Sequence, residues 1–163
     1  MPEELSFVLK NDHGQSYIEV PVHRATRVFF QREFGVNGGF VKARLDNLIG
    51  TALQLAAEKP TYRRVSVRRK AQTHKMKIVL PQELSYGKIT ECRLEAIGKH
   101  LDAMFRQQFF LFVKGAVVTG CSDNFAVVSF VENYRIKEDD WAMDTAKKAW
   151  RDYKSRIFFK VIG

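Results

Sequence analysis

Residues 61–80 read TYRRVSVRRKAQTHKMKIVL, and their period of two decides for a β-sheet in the fold. In the run Tyr62 to Arg69, Tyr62, Arg64, Ser66 and Arg68 share one face, while Arg63, Val65, Val67 and Arg69 share the other. From His74 to Leu80, Lys75, Lys77 and Val79 alternate with His74, Met76, Ile78 and Leu80. Joined by Lys70-Ala71-Gln72-Thr73, the two runs predict a hairpin. With Val65, Val67, Met76 and Ile78 turned to the core, Arg64, Arg68, Lys75 and Lys77 line the solvent face as a cationic strip.

The same stretch is electrostatically one-sided. Between Glu58 and Glu83 lie Lys59, Arg63, Arg64, Arg68, Arg69, Lys70, Lys75 and Lys77, with no acid among them. Like charges so concentrated repel unless water screens them or a polyanion binds, so the segment points to a polyanionic partner. The competing reading is an edge hairpin whose basic residues discourage aggregation.

Towards the N-terminus, Leu5 to Leu9 and Ser16 to Val20 read as strands joined by a turn over Lys10 to Gln15. Pro21 suits a helical first turn, and Val22 to Phe34 has helical spacing up to Gly35, with strand as the rival for Arg27 to Phe30. Gly38-Gly39 is a break. Beyond it Val41, Leu45, Leu48, Ile49, Ala52, Leu53 and Ala56 predict an amphipathic helix closed by Pro60.

Towards the C-terminus, Thr90 is a candidate cap for a long helix whose seam runs Leu94, Ile97, Leu101, Met104, Phe105, Gln108 and Phe112, ending at Gly115. Phe109 to Val113 is apolar on all sides, as for a helix end buried in the domain or in a subunit contact. Ala116 to Thr119 and Phe125 to Ile136 read as a second hairpin about the turn Gly120 to Asn124. Asp139 or Asp140 then caps a helix from Trp141 to Arg156, and Ile157 to Ile162 reads as a terminal strand. The sum is a single α+β domain over residues 1–163, an antiparallel β-sheet of hairpins packed by about four α-helices.

With 163 residues, 45% of them hydrophobic, the chain is long enough to fold without disulfide or metal staples, and a disordered protein is excluded. A net charge of +9 favours nucleic acid, an anionic surface or an acidic protein as partner. Cys92 and Cys121 make no disulfide framework, so a cytoplasmic or other intracellular setting is expected. The start Met-Pro-Glu-Glu-Leu is acidic where a signal peptide is basic. No apolar run approaches the roughly 18 residues of a membrane span, so no membrane partner is expected.

Catalytic signatures are lacking in the sequence. His13, His23, His74 and His100 have no zinc spacing with cysteine, and Gly35, Gly38 and Gly39 match neither a P-loop nor a dinucleotide fingerprint. No catalytic residue, metal or cofactor is therefore assigned. Further basic groups lie at Arg24, Arg27 and Arg32 and at Lys147, Lys148, Arg151, Lys154, Arg156 and Lys160. Arg24 and Arg27, like Lys147 and Arg151, sit one helical turn apart. Of the aromatics, Phe29, Phe30 and Phe34 read as core, whereas Tyr62 and Tyr134 are candidates for stacking on bases.

Three functions follow in order. The first is a non-catalytic nucleic-acid-binding protein that contacts the phosphate backbone through Arg63, Arg64, Arg68, Arg69, Lys70, Lys75 and Lys77, supported by Arg24, Arg27, Lys147 and Arg151. The second is an assembly subunit of a larger particle, with other subunits or a second copy as partners. The third is a metal-dependent nucleic-acid enzyme using Glu132, Asp139 and Asp140, although helix capping is the plainer role for Asp139 and Asp140.

Overall fold

The structure, a computed structural model, describes residues 8–36, 38–44, 46, 49–50, 53, 74–82, 89 and 91–161. It is an α+β fold whose elements run β1 (Leu9–Lys10), β2 (Ser16–Pro21), α1 (Arg24–Phe34), β3 (Gly35–Val36), β4 (Phe40–Lys42), β5 (Lys75–Val79), α2 (Glu91–Val118), α3 (Asp123–Asn133) and α4 (Met143–Val161). The chain forms two compact units, Met1–Asp102 and Ala103–Gly163.

In the first unit the strands order as β1-β2-β5-β4-β3. Three pairs are antiparallel and one, β4 with β5, is parallel, so the sheet is mixed rather than wholly antiparallel. β5 is the middle strand. Tyr17 to Pro21 of β2 pair with Val79 to Lys75 on one edge, and Phe40 to Lys42 of β4 pair with Lys77 to Val79 on the other. Lys77 to Val79 therefore have no edge left for the hairpin partner expected from Tyr62 to Arg69, a run that lies outside the described residues. The apolar faces of β2 and β4 explain the choice. Ile18, Val20, Val41, Met76 and Ile78 all point to one side and are fully buried, each contributing about 2 kcal/mol.

The turns follow from local chemistry. Asn11 Oδ1 accepts from the N–H groups of His13 (3.0 Å) and Gln15 (2.9 Å), fixing the β1–β2 connection. Gly38 and Gly39, at φ 85° and 78°, turn β3 into β4, so this pair closes a hairpin and Val41 belongs to a strand rather than to the expected helix. Of that helix, Ile49, Gly50 and Leu53 are described and helical, with Ile49 and Leu53 buried.

Pro21 ends β2 instead of opening α1, because the chain stays extended until the Val22 N–H reaches His74 O at 3.1 Å. Residues 27–30 are helical, as the primary reading had it. The N-terminus of α1 has no local side-chain cap. Asp102 on α2 serves instead: its Oδ1 accepts from the His23 N–H at 3.0 Å and from the Thr26 hydroxyl at 2.7 Å. Thr26 is fully buried. Gly98 lets α2 approach β2 so closely that an added Cβ would stand 2.0 Å from Pro21 O.

The second unit is helical. α2 passes Gly115 and stops at Val118, with Gly120 at φ 100° turning the chain. The residues expected to form a second hairpin instead continue α2 and form α3. Ala126, Val127, Phe130 and Val131 are buried at i, i+1, i+4 and i+5, and Ser122 Oγ accepts the Phe125 N–H at 3.2 Å. α3 closes through Arg135 at φ 51°, with Arg135 N–H to Glu132 O and Ile136 N–H to Val131 O. α4 begins at Met143, whose N–H donates to Glu138 at 3.0 Å, while Asp140 accepts from the Lys137 N–H at 3.3 Å in the turn before the helix. The terminal strand is absent too, since α4 runs to Val161.

Aromatic contacts fill this unit. Phe109 meets Phe130 at 5.1 Å and Trp141 at 4.9 Å, Phe112 meets Phe130 at 5.4 Å, and Phe110 stacks on Tyr153 at 4.1 Å. Within the apolar run Phe109 to Val113, Phe109 and Val113 are buried and Phe110 lies against Tyr153 of α4, while Leu111 and Phe112 remain exposed. Lys154 Nζ lies 2.8 Å from Asp123 Oδ2 and ties α4 to α3.

Two stability predictions arise. Gly98→Ala should lower stability by about 1–3 kcal/mol, because the clash with a backbone carbonyl outweighs the helix-propensity gain; an unchanged or raised denaturation midpoint would show that the approach is not tight. Asp123 is held below its ordinary 3.8, first by the Lys154 hydrogen bond and opposed by partial desolvation; the Trp150 indole N–H adds a smaller lowering without meeting hydrogen-bond geometry. A depressed carboxylate stabilises the fold above its unfolded pKa, and that contribution fades as pH falls through the folded value. Lys154→Met should therefore be less stable than wild type above about pH 3.8, with the gap closing as pH falls; a gap of constant size across acid unfolding curves would contradict this.

Candidate nucleic-acid interface

Opposite the buried face, the sheet of the first unit presents residues in register. Leu9, Tyr17, Val79 and Lys42 form one cross-strand row, Glu19, Lys77 and Phe40 the next, and Pro21 with Lys75 the last. Alternation along β5 puts Lys75 and Lys77 on this outer face, exposed, between buried Met76 and Ile78. That part of the expected cationic strip is in place. Its other members, Arg63, Arg64, Arg68, Arg69 and Lys70, fall outside the described residues.

Two half-buried aromatic rings accompany the lysines. Tyr17 and Phe40 flank β5 and meet edge to face, with centroids 5.1 Å apart at 86°. Lys77 Nζ lies 5.4 Å from the Phe40 centroid, within cation–π range. Glu19 approaches Lys75 at 3.8 Å, an exposed pair that holds neither side chain firmly. A cleft of about 600 Å³ opens over this face between the β1–β2 turn and the β3–β4 turn, and Lys10, His13, Tyr17, Phe40 and Lys77 line it. Such a surface offers cations to phosphates and π-faces to bases.

The sequence signals for these partners are uneven. Tyr17 is legible from its alternation with Ile18 and Val20. Phe40 is not, because β4 has three residues and sits beside an apparent helical repeat.

The remaining basic residues lie elsewhere. Arg24 is exposed on α1 and engaged by a neighbour, whereas Arg27 is half-buried with its Nε enclosed and without a hydrogen-bond partner. The two therefore differ in environment rather than forming one solvated pair. Lys147 and Arg151 line a cleft of about 590 Å³ in the helical unit together with Lys148 and Trp150, and Asp123 and Asp144 share it, so its charge is mixed.

Tyr134 caps α3 and packs on Phe130 at 4.7 Å, rather than standing on a strand. Phe29 and Phe30 are buried, as their spacing predicts. Glu132, Asp139 and Asp140 do not come together as ligands: among the described residues no group of three His, Cys, Asp or Glu side chains is placed to hold a metal ion. Cys92 and Cys121 are free thiols. No helix among the described residues is long and apolar enough to cross a membrane. Comparison with protein-family models, with curated proteins and with solved structures finds no match.

Proposed function

We propose that this protein is a non-catalytic nucleic-acid-binding module, working inside the cell, that grips the phosphate backbone through the outer face of its sheet. The observation that carries the reading is that face itself: Lys75 and Lys77 project from the central strand beside Tyr17 and Phe40, with Glu19 the acid in the same rows. Arg63, Arg64, Arg68, Arg69 and Lys70, five further cations with no acid among them, precede β5 in the sequence. Arg24, exposed on α1 of the same unit, is a supporting contact. Binding of this kind is driven by counterion release and carries little base readout.

Fluorescence anisotropy over a salt series tests it. Log affinity should fall steeply with log salt, and Lys75→Ala with Lys77→Ala should flatten the slope by roughly 0.7–0.9 per lost phosphate contact while the fold persists. Binding that ignores both salt and these substitutions would dismiss the reading.

A second reading, self-assembly, is favoured by a separate observation. Leu111, Phe112, Val118 and Phe125 are 53%, 36%, 78% and 61% exposed, a set of apolar side chains at the end of α2 and the start of α3. The measured molar mass should then rise with concentration, and Leu111→Glu should suppress that rise; a strict monomer at all concentrations removes this reading.

A further inference from the structure

The geometry points to single-stranded nucleic acid as the ligand, with one unpaired base seated in the outer-face cleft against Phe40 and Tyr17; this rests on the nucleic-acid reading above. A strip of lysines alone would accept single or double strands equally, because both offer phosphates. The cleft breaks that symmetry. Its volume of about 600 Å³ exceeds what a cation–phosphate contact needs, and its sides come from β1–β2, β5 and β3–β4, so it spans the width of the sheet.

Perpendicular rings cover one another incompletely: an edge-to-face pair hides a face of one ring only. Tyr17 and Phe40 are both half-buried, so aromatic surface remains for a third ring, and every base has a π-face to place there. A base still paired within a duplex has both faces stacked and its edge engaged, and drawing it out costs a few kcal/mol. A single strand has no such cost.

The cleft is also prepared in advance. The β1–β2 wall is held by the two bonds to Asn11 Oδ1 and by Asn11 Nδ2 donating to Gln15 Oε1 at 3.1 Å, so little ordering entropy is lost when a ligand arrives. Asp12 and His13 on that wall are exposed and give the base edge polar groups to meet. Lys77 Nζ lies 5.4 Å from the Phe40 centroid on an exposed side chain, so a base stacking on that ring would displace it towards the adjoining phosphate. Lys10 supplies a second cation at the rim.

The test compares three labelled ligands of equal length on the 163-residue chain: a base-bearing single strand, an abasic sugar-phosphate strand and a duplex. The unaltered protein should bind the base-bearing strand about tenfold more tightly than the abasic one, and more tightly than the duplex. Phe40→Leu and Tyr17→Leu, each checked for a native circular dichroism spectrum, should erase most of that ratio, whereas Lys77→Gln should flatten the salt slope and leave the ratio standing. Equal, salt-dependent binding to base-bearing and abasic strands would overturn the seated base while leaving the backbone-binding reading intact. A preference for duplex would likewise overturn it. Absence of salt-dependent binding to all three would remove both.

Discussion

β5 is hydrogen-bonded along both edges, and this constraint orders the rest of the first unit. A strand bonded on both sides has only its two faces left to distinguish. One of them, Met76 and Ile78, is continuous with Ile18, Val20 and Val41 and is sealed. The other must then carry Lys75 and Lys77 outward together with Tyr17, Glu19 and Phe40, and no slip by one residue is tolerated, since it would bury two lysines and expose the core. The chemistry of the outer face is thus a by-product of the same register that builds the core.

The helical unit solves a different packing problem. α2 meets it with a run in which Phe109 and Val113 are fully buried, Phe110 lies against Tyr153, and Phe112 lies against Phe130. Aromatic rings in edge and stacked contacts fill the spaces between helices, and the Lys154–Asp123 pair fixes α4 against the first turn of α3. A carboxylate at a helix start is doubly placed: it complements the positive end of α3 and receives the ammonium of α4.

Where sequence and structure agree, the pattern is long or strictly alternating. The seam through Leu94, Ile97, Leu101 and Phe105 makes α2 plain, and β2 and β5 are plain from their alternation. Where they part, a local preference was overruled. Phe125 to Ile136 is rich in Val, Phe and Tyr and looks like a strand, yet burial at Ala126, Val127, Phe130 and Val131 together with the Ser122 cap makes it helical. β4 is too short to show a period, and its parallel pairing with β5 links segments far apart in sequence, which no local pattern records. For the same reason half of the outer face was legible, namely Lys75, Lys77 and the position of Tyr17, while Phe40 required the fold. Gly98 reads as a mild helix weakener in sequence; only the neighbouring carbonyl of Pro21 reveals why no side chain fits there.

The cap that Asp102 provides to α1 spans 79 residues to His23 and 76 to Thr26. As the chain leaves the ribosome, α1 is complete in sequence long before its first turn has a partner for these groups. Its opening N–H and the Thr26 hydroxyl stay with water until the first turns of α2 have emerged and docked. Contacts of such separation carry a loop-closure cost and slow folding relative to local ones. A nascent chain halted before Asp102 would therefore carry α1 without the carboxylate that binds its first turn.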